Sequence, residues 1–299
     1  MSTLLLVFFS GFAYATPLVL AGVGGSLSAK VNVFNIALEG MMLVGAFSAF
    51  AGATGSDNPW VGLLFGAAGG LVVALVFAVL CVDLGADPIV AGIALNIACQ
   101  GATDVLLTVI YHQQGSYLPT HIGVFAPIAQ QGVLSQVDLI VVLAALATVA
   151  TGLLMYRTTF GLRVRAVGLY PHAAATVGVS VRSYRYLAIL IGGVLCGIAG
   201  AYLPLNGLGM FSDDMTAGAG FIALAAVIFA DGNPWITAAV AFVFGLADAV
   251  GSQLQLLNIP NELVLSIPYL LTIAVLVLQK WRLRLRERQS APAPAVLSA

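Results

Sequence analysis

The chain has 299 residues, 61% hydrophobic and 8% charged, with a mean hydropathy of +1.04 and a formal net charge of −1. An ordinary soluble domain carries about 25% charged residues, so this composition excludes a soluble globular protein. A spanning β-barrel would show segments of about ten residues with alternating polarity. Here the apolar runs are continuous and helix-length, as in 139–155 and 263–278, so the expected fold class is all-α, a polytopic transmembrane helical bundle.

In chain order, nine segments approach the length that crosses about 30 Å of hydrocarbon. They are 3–23, 35–52, 60–82, 88–110, 138–156, 186–205, 218–231, 235–252 and 263–279. A total of eight or ten also fits, because short or re-entrant segments blur such a count. The first ten residues hold no Lys or Arg, which a secretory signal requires, so 3–23 reads as a retained span. Segment 218–231 is short enough for a half-span. With 235–252 it flanks Asp231-Gly232-Asn233-Pro234, a sequence suited to a tight helical hairpin. The Pro/Ala-rich end reads as a disordered tail over 286–299, leaving one membrane domain over 1–285.

Ten of the 11 Lys and Arg residues fall in two clusters. One is Arg157, Arg163, Arg165, Arg182 and Arg185; the other is Lys280, Arg282, Arg284, Arg286 and Arg288; Lys30 stands apart. Basic residues beside spans stay on the cytoplasmic side. With nine segments, this rule sets the N-terminus outside, and Lys30, the central loop 157–185 and the C-terminus inside. The polar loop 111–137 falls outside, where His112 and His121 show no metal-ligand spacing.

Small residues recur at Gly193, Gly197 and Ala201, a spacing that lets helix backbones approach closely within one chain or between two. Cys81, Cys99 and Cys196 are widely spaced within apolar runs and read as packing residues.

Polar groups inside spans face the bundle interior or a pathway. Asn35 and Glu39 lie four apart and would share a helical face, while upstream Gly22-Val23-Gly24-Gly25 is expected to break the helix. Broken helices at membrane depth line cavities in transporters; the alternative is that both side chains tie down the break. Asn96, Gln100 and Thr103, followed by Asp104, form a second polar face. Amides and hydroxyls suit a neutral polar solute, or they join helices by hydrogen bonds. Asp248 stands alone in its span, as a satisfied interior acid or a proton-coupling group; Asp213 and Asp214 belong to an outer loop. Neither lysine follows a glycine, so no Walker phosphate loop is present, and no Gly-x-Ser-x-Gly or His-Glu-x-x-His motif appears.

Asn35-Ile36-Ala37-Leu38-Glu39-Gly40-Met41-Met42-Leu43-Val44-Gly45-Ala46-Phe47 closely resembles the N-I-G-L-E-G-M-M-L-x-G-A-F signature of ABC-transporter permeases that import nucleosides. These form a branch of the type II importers, related to ribose and branched-chain amino acid permeases. Thr159-Phe160-Gly161-Leu162-Arg163-Val164-Arg165-Ala166-Val167-Gly168, followed by Pro171, Ala173, Ala174 and Gly178, resembles that family's cytoplasmic loop, which carries the helix that couples to the ATPase. Ala91 to Asn96, Gly218 to Ala225 and Pro268 to Thr272 add matches in the same order, so the resemblance runs from about residue 17 to residue 280. Two departures stand out. Gly168-Leu169-Tyr170-Pro171 replaces an expected Gly-Glu-Asn-Pro, and Asp231 replaces a small residue.

The resemblance implies a permease subunit that translocates nucleosides across a bacterial inner membrane, without an ATPase site or cofactor of its own and without bound metal or nucleic acid. Its partners would be an ABC ATPase subunit, a second and non-identical permease subunit, an extracytoplasmic substrate-binding protein and the lipid bilayer. Asn35, Glu39, Asn96, Gln100, Thr103 and Phe221 would line the substrate path. Arg163, Arg165, Ala166, Val167, Gly168, Pro171, Ala173 and Ala174 would couple to the ATPase, through a short amphipathic helix around 166–177 entered by the two arginines. A simple-sugar permease is the nearest alternative, and a secondary carrier driven by protons through Glu39 or Asp248 a more distant one.

Overall fold

A computed structural model describes residues 3–125, 138–206 and 209–255. The described residues form ten α-helices and a small two-stranded ribbon. The helices are α1 (Thr3–Lys30), α2 (Leu38–Ser56), α3 (Pro59–Ala78), α4 (Pro88–Tyr111), α5 (Leu139–Arg157), α6 (Thr159–Leu169), α7 (Pro171–Thr176), α8 (Val181–Leu205), α9 (Ala219–Phe229) and α10 (Pro234–Gln255). A π-helical turn, Val79–Asp83, extends α3. Proline at the first helical turn and short polar caps mark the starts, where free N–H groups need partners. Asn58 accepts from Trp60 N at 2.9 Å ahead of Pro59, and Asp87 accepts from Ile89 N and Val90 N at 2.9 and 3.2 Å ahead of Pro88.

Seven of these helices are long and apolar enough to cross a membrane. The expected total of nine is not confirmed. Segment 218–231 contains only the 11-residue α9, which rises about 16 Å at 1.5 Å per residue and covers half a bilayer. Segment 263–279 and the tail 286–299 lie outside the described residues. The hairpin expected around Asp231-Gly232-Asn233-Pro234 is present: Asp231 and Gly232 take left-handed backbone angles (φ 49° and 63°), and Asn233 caps α10 through Trp235 N at 3.1 Å.

Helix α1 lies centrally, against α8, α9, α10 and α5. Helices α2, α3 and α8 pack together along a seam of small residues. A Cβ on Gly66 would sit 2.7 Å from Ala201 Cβ, one on Gly70 2.6 Å from Gly197 Cα, and one on Gly45 2.7 Å from Gly197 Cα. The small-residue repeat of α8 therefore packs within the chain. Gly22, Gly24 and Gly25 do not break α1, which runs unbroken through them. They are packing sites too, since a Cβ on Gly24 would meet Gly192 O at 2.7 Å. The break falls at residues 31–37, where Asn32 takes a left-handed angle (φ 58°). Asn35 is thus outside helix, and it shares no helical face with Glu39.

The loops sort to two ends. At one lie Lys30, Asp83, α6, α7 and Asp231, joined by Lys30–Asp231 and Arg182–Asp83 ion pairs. At the other, Ser116 and Tyr117 (β1) pair antiparallel with Ser212 and Phe211 (β2) over an aromatic cluster of Phe47, Phe50, Tyr111, Tyr117 and Phe211. Every Lys and Arg among the described residues belongs to the first, basic end. Cys81, Cys99 and Cys196 are free and at least partly buried, as packing residues would be.

Candidate functional site

The break at 31–37 delivers the first turn of α2 to mid-depth in the bundle, where two side chains hold it. Asn35 turns the chain: its Oδ1 accepts from Ala37 N at 3.1 Å and its amide lies 3.5 Å from Met41 Sδ. Asn96 reaches across from α4, accepting from Gly40 N at 2.9 Å through Oδ1 and donating from Nδ2 to Ile36 O at 2.9 Å. One amide therefore satisfies a donor and an acceptor that the interrupted backbone leaves open.

Glu39 extends this junction to α9. Its Oε1 accepts from the Thr216 hydroxyl and from Gly218 N at 2.9 Å, and its Oε2 accepts from Gly220 N at 2.6 Å. The carboxylate thereby caps the N-terminus of α9, where free N–H groups and the helix dipole favour negative charge. The fit is close. A Cβ on Gly220 would lie 2.5 Å from Glu39 N, so only glycine permits this approach. Two helix N-termini, those of α2 and α9, thus converge inside the bundle.

Beside this junction is a cavity of about 660 Å³. Glu39, Asn96, Gln100 and Phe221, four of the six expected path residues, line it together with Gly40, Leu43, Ile93, Ile97, Asp214, Ala217 and Gly218. Ile93, Ile97 and Gln100 follow one face of α4, at helical spacing. Asn35 and Thr103 do not line it. Both are buried, and the Thr103 hydroxyl donates to Gln100 O at 2.9 Å, a bond inside its own helix. Glu39 and Asn96 have their polar atoms committed to backbone groups and the Thr216 hydroxyl, so Gln100 and Asp214 are the lining side chains that can turn to a guest. Aliphatic walls with few polar groups, in a volume of this size, suit a small solute with one apolar face.

The expected helix around 166–177 is two helices, α6 and α7, parted at Tyr170 because Pro171 starts α7. Arg163 and Arg165 lie within α6 rather than at the entry to a helix. They brace it against its neighbours: Arg163 Nη1 donates to the Tyr184 hydroxyl at 2.8 Å, and the Arg165 guanidinium lies 5.2 Å from the Tyr156 ring. Val164, Val167 and Ala174 are buried, and Ala166 packs behind them. Gly168 faces the Lys30 carbonyl so closely that a side chain has no room. Pro171 and Ala173 sit on α7, whose flanks expose Leu169 (73%), Tyr170 (72%) and Val177 (78%), an apolar rim at the basic end.

Sequence reasoning missed Thr216, Gly218 and Gly220 as partners of Glu39, and Asp214 as a lining residue. A Thr-x-Gly-x-Gly run just ahead of an apolar stretch is a helix-start signal that marks the first three.

The family described as branched-chain amino acid transport system / permease component matches residues 7–276. The chain is 36% identical over 294 residues to the nucleoside ABC transporter permease protein NupC of Lactococcus lactis subsp. cremoris, covering 93% of each chain. It is 35% identical over 281 residues to the guanosine ABC transporter permease protein NupQ of Bacillus subtilis, covering 88% of each. TsgC13 of Haloferax volcanii, named as a glucose ABC transporter permease protein, is 34% identical over 294 residues, with 88% of each covered. No solved structure matches the chain. An interrupted helical bundle with a mid-depth cavity, matched over nearly its whole length, belongs to the family of branched-chain amino acid transport system permease components.

Proposed function

We propose that this chain is the permease subunit of an ABC importer that moves nucleosides inward across a bacterial inner membrane. The observation that carries the reading is the cavity at which α2 and α9 begin, walled by Phe221, Leu43, Ile93 and Ile97 and edged by Gln100 and Asp214. An aromatic face with a few donors and acceptors suits a base joined to a sugar. NupC and NupQ, named for nucleoside and guanosine transport, support the same solute class.

The permease domain spans 1–285, with 157–185 as its coupling loop. The basic end is cytoplasmic by the positive-inside rule, which puts the N-terminus outside. ATP hydrolysis is supplied by a separate ATPase subunit that receives α7 and its rim of Leu169, Tyr170 and Val177 in a surface groove. Arg163, Arg165, Ala166, Val167 and Gly168 fix α6 as the base of that contact, and Pro171, Ala173 and Ala174 shape α7. The departure at Leu169-Tyr170 exchanges an acidic contact for an apolar one. An extracytoplasmic binding protein delivers solute to the outer end. The cavity opens on the surface of the single chain between the middle of α4, where Gln100 is exposed, and the outer end, where Asp214 is exposed. Polar groups are not left facing lipid, so a second, non-identical permease closes the cavity and completes the path. In that path Gln100 and Phe221 meet solute, while Asn35, Glu39, Asn96 and Thr103 hold its walls.

A simple-sugar substrate is the second reading, favoured by TsgC13 and by the uncharged amide of Gln100. A proton-driven carrier has less support, because all the acceptors of Glu39 that line the junction are committed to fixed donors. The deciding experiment reconstitutes the chain with its co-purifying subunits in liposomes and measures uptake of labelled guanosine, uridine and ribose with and without ATP. ATP-dependent nucleoside uptake is expected. Ribose uptake alone would move the assignment to sugars, and uptake that needs a proton gradient but no ATP would overturn the importer reading.

A further inference from the structure

The basic end of the bundle holds a second cavity, of about 410 Å³. Three helix C-termini meet around it: α1 through Ala29 and Lys30, α6 through Gly168 and Leu169, and α9 through Val227 and Ile228. Each leaves carbonyl groups without intrahelical partners and gathers negative partial charge. Among them lies the Lys30 ammonium. Its Nζ donates to the backbone oxygen of Asp231 at 2.6 Å and stands 3.8 Å from Asp231 Oδ2. That carboxylate is fully exposed, whereas the Lys30 side chain is 22% exposed. The closer partner is therefore the carbonyl, just beyond the end of α9. The main chain of Lys30 meets α6, since the space a Cβ on Gly168 would need is taken by Lys30 O. The turn after α9 fits as closely, with a Cβ on Gly232 3.1 Å from Ala29 Cβ and 3.5 Å from Lys30 Cε. One residue thus touches α6 with its backbone and the end of α9 with its ammonium.

We infer that Lys30 is a positioning residue that carries movement of the coupling segment into α9, and so into the wall of the solute cavity. The inference rests on the importer reading above. A shift of α6 displaces the end of α1 through the Gly168 contact. The ammonium then draws the C-terminal end of α9, whose other end is clamped by Glu39 and carries Phe221. Close-packed elements with fixed hydrogen bonds at both ends move as units rather than deforming. Asp231, the residue that departs from the family pattern, contributes its carbonyl and its left-handed turn; its carboxylate is dispensable for the link.

The test uses the assembled transporter in nanodiscs. Hydrogen–deuterium exchange is followed in 159–169 and 219–234, nucleotide-free and after trapping with ATP and vanadate, alongside guanosine uptake per ATP hydrolysed in liposomes. In the wild type both segments change protection on trapping. In Lys30→Met, 159–169 keeps its change while that of 219–234 falls by at least about five-fold, the lower range of site-to-site coupling, and uptake per ATP falls with it. Lys30→Arg, which keeps a charged donor, restores most of the response, and Asp231→Asn, which removes the charge but keeps the carbonyl and tolerates the left-handed angle, matches the wild type. Should Lys30→Met fail to assemble, Lys30→Gln replaces it, with the same loss expected from its shorter reach. An unaltered 219–234 response in Lys30→Met or its substitute Lys30→Gln, no response of 219–234 in the wild type, or a loss in Asp231→Asn equal to that in Lys30→Met would each overturn the inference. Exchange needs no solute, so a wild type that does not import guanosine strikes the nucleoside reading and leaves this test in force.

Discussion

Glu39 sits in the first turn of α2, yet its carboxylate serves the first turn of α9, through one hydroxyl and two backbone N–H groups. Glutamine offers a single acceptor oxygen, so Glu39→Gln must abandon Gly218 N or Gly220 N. A hydrogen bond to a charged group is worth about 1.5–3 kcal/mol, and Glu39→Gln should lower the thermal unfolding temperature of the detergent-solubilised chain by several degrees. Unchanged melting would remove the clamp from the account. Gly220→Ala should do similar damage, because its Cβ would lie 2.5 Å from Glu39 N, with overpacking costs of about 1–3 kcal/mol. Gly101→Ala is the control. Nothing lies within 4 Å of that site, and alanine there should hold or raise stability by up to about 1 kcal/mol. Glu39 and Asn96 were legible in the sequence as polar groups inside apolar runs. Their partners were not, since Asn96 bonds Gly40 across 56 positions and Glu39 bonds Gly218 across 179, and no local pattern encodes such separations.

At the level of elements, glycine does two opposite things in this chain. The run at 22–25 reads as a helix breaker on intrinsic propensity, but burial of α1 against α8 converts it into a packing face that favours an unbroken helix. The true interruption, at 31–37, carried its own signals in Asn32, which accepts a left-handed angle, and Asn35, which turns the chain with its side chain. The same logic makes the α3–α8 seam intolerant of bulk. Gly197→Leu should prevent α8 from approaching Gly66 and Gly70 and abolish the monodisperse peak in size-exclusion chromatography; a normal peak would contradict the seam. Helices α6 and α7 were legible as one loop, with Pro171 the overlooked divider. Beside α7, the exposed Leu169 and Tyr170 allow the proposed docking role to be told apart from a role in folding. Leu169→Asp with Tyr170→Asp should cut co-purification of the ATPase by about ten-fold or more, the scale of lost interface anchors, while melting stays within a degree or two. Parallel loss of both would mean these side chains support the fold instead.

For the whole molecule, the sorting of loops to two ends was the most legible feature, and the six Lys and Arg of the described residues all fall at one end. The number of spans was less so, since α9 has the hydropathy of a span and half its length. Sidedness can be measured directly. In a cysteine-free background, single cysteines at Asp57 and Asp213 should react with a membrane-impermeant maleimide added outside intact cells, and those at Asp87 and Val177 only after the membrane is opened. The reverse pattern would invert the molecule and overturn the proposed placement of α7 against an ATPase.

The clamp on α9 also bears on how the chain is made. A helix of 11 residues is too short to halt in a bilayer by its own hydrophobicity, and its leading N–H groups would enter hydrocarbon without partners. Glu39, which satisfies them, leaves the ribosome 179 residues before Gly218. The partner that the first turn of α9 needs is therefore already synthesised, on α2, when α9 emerges.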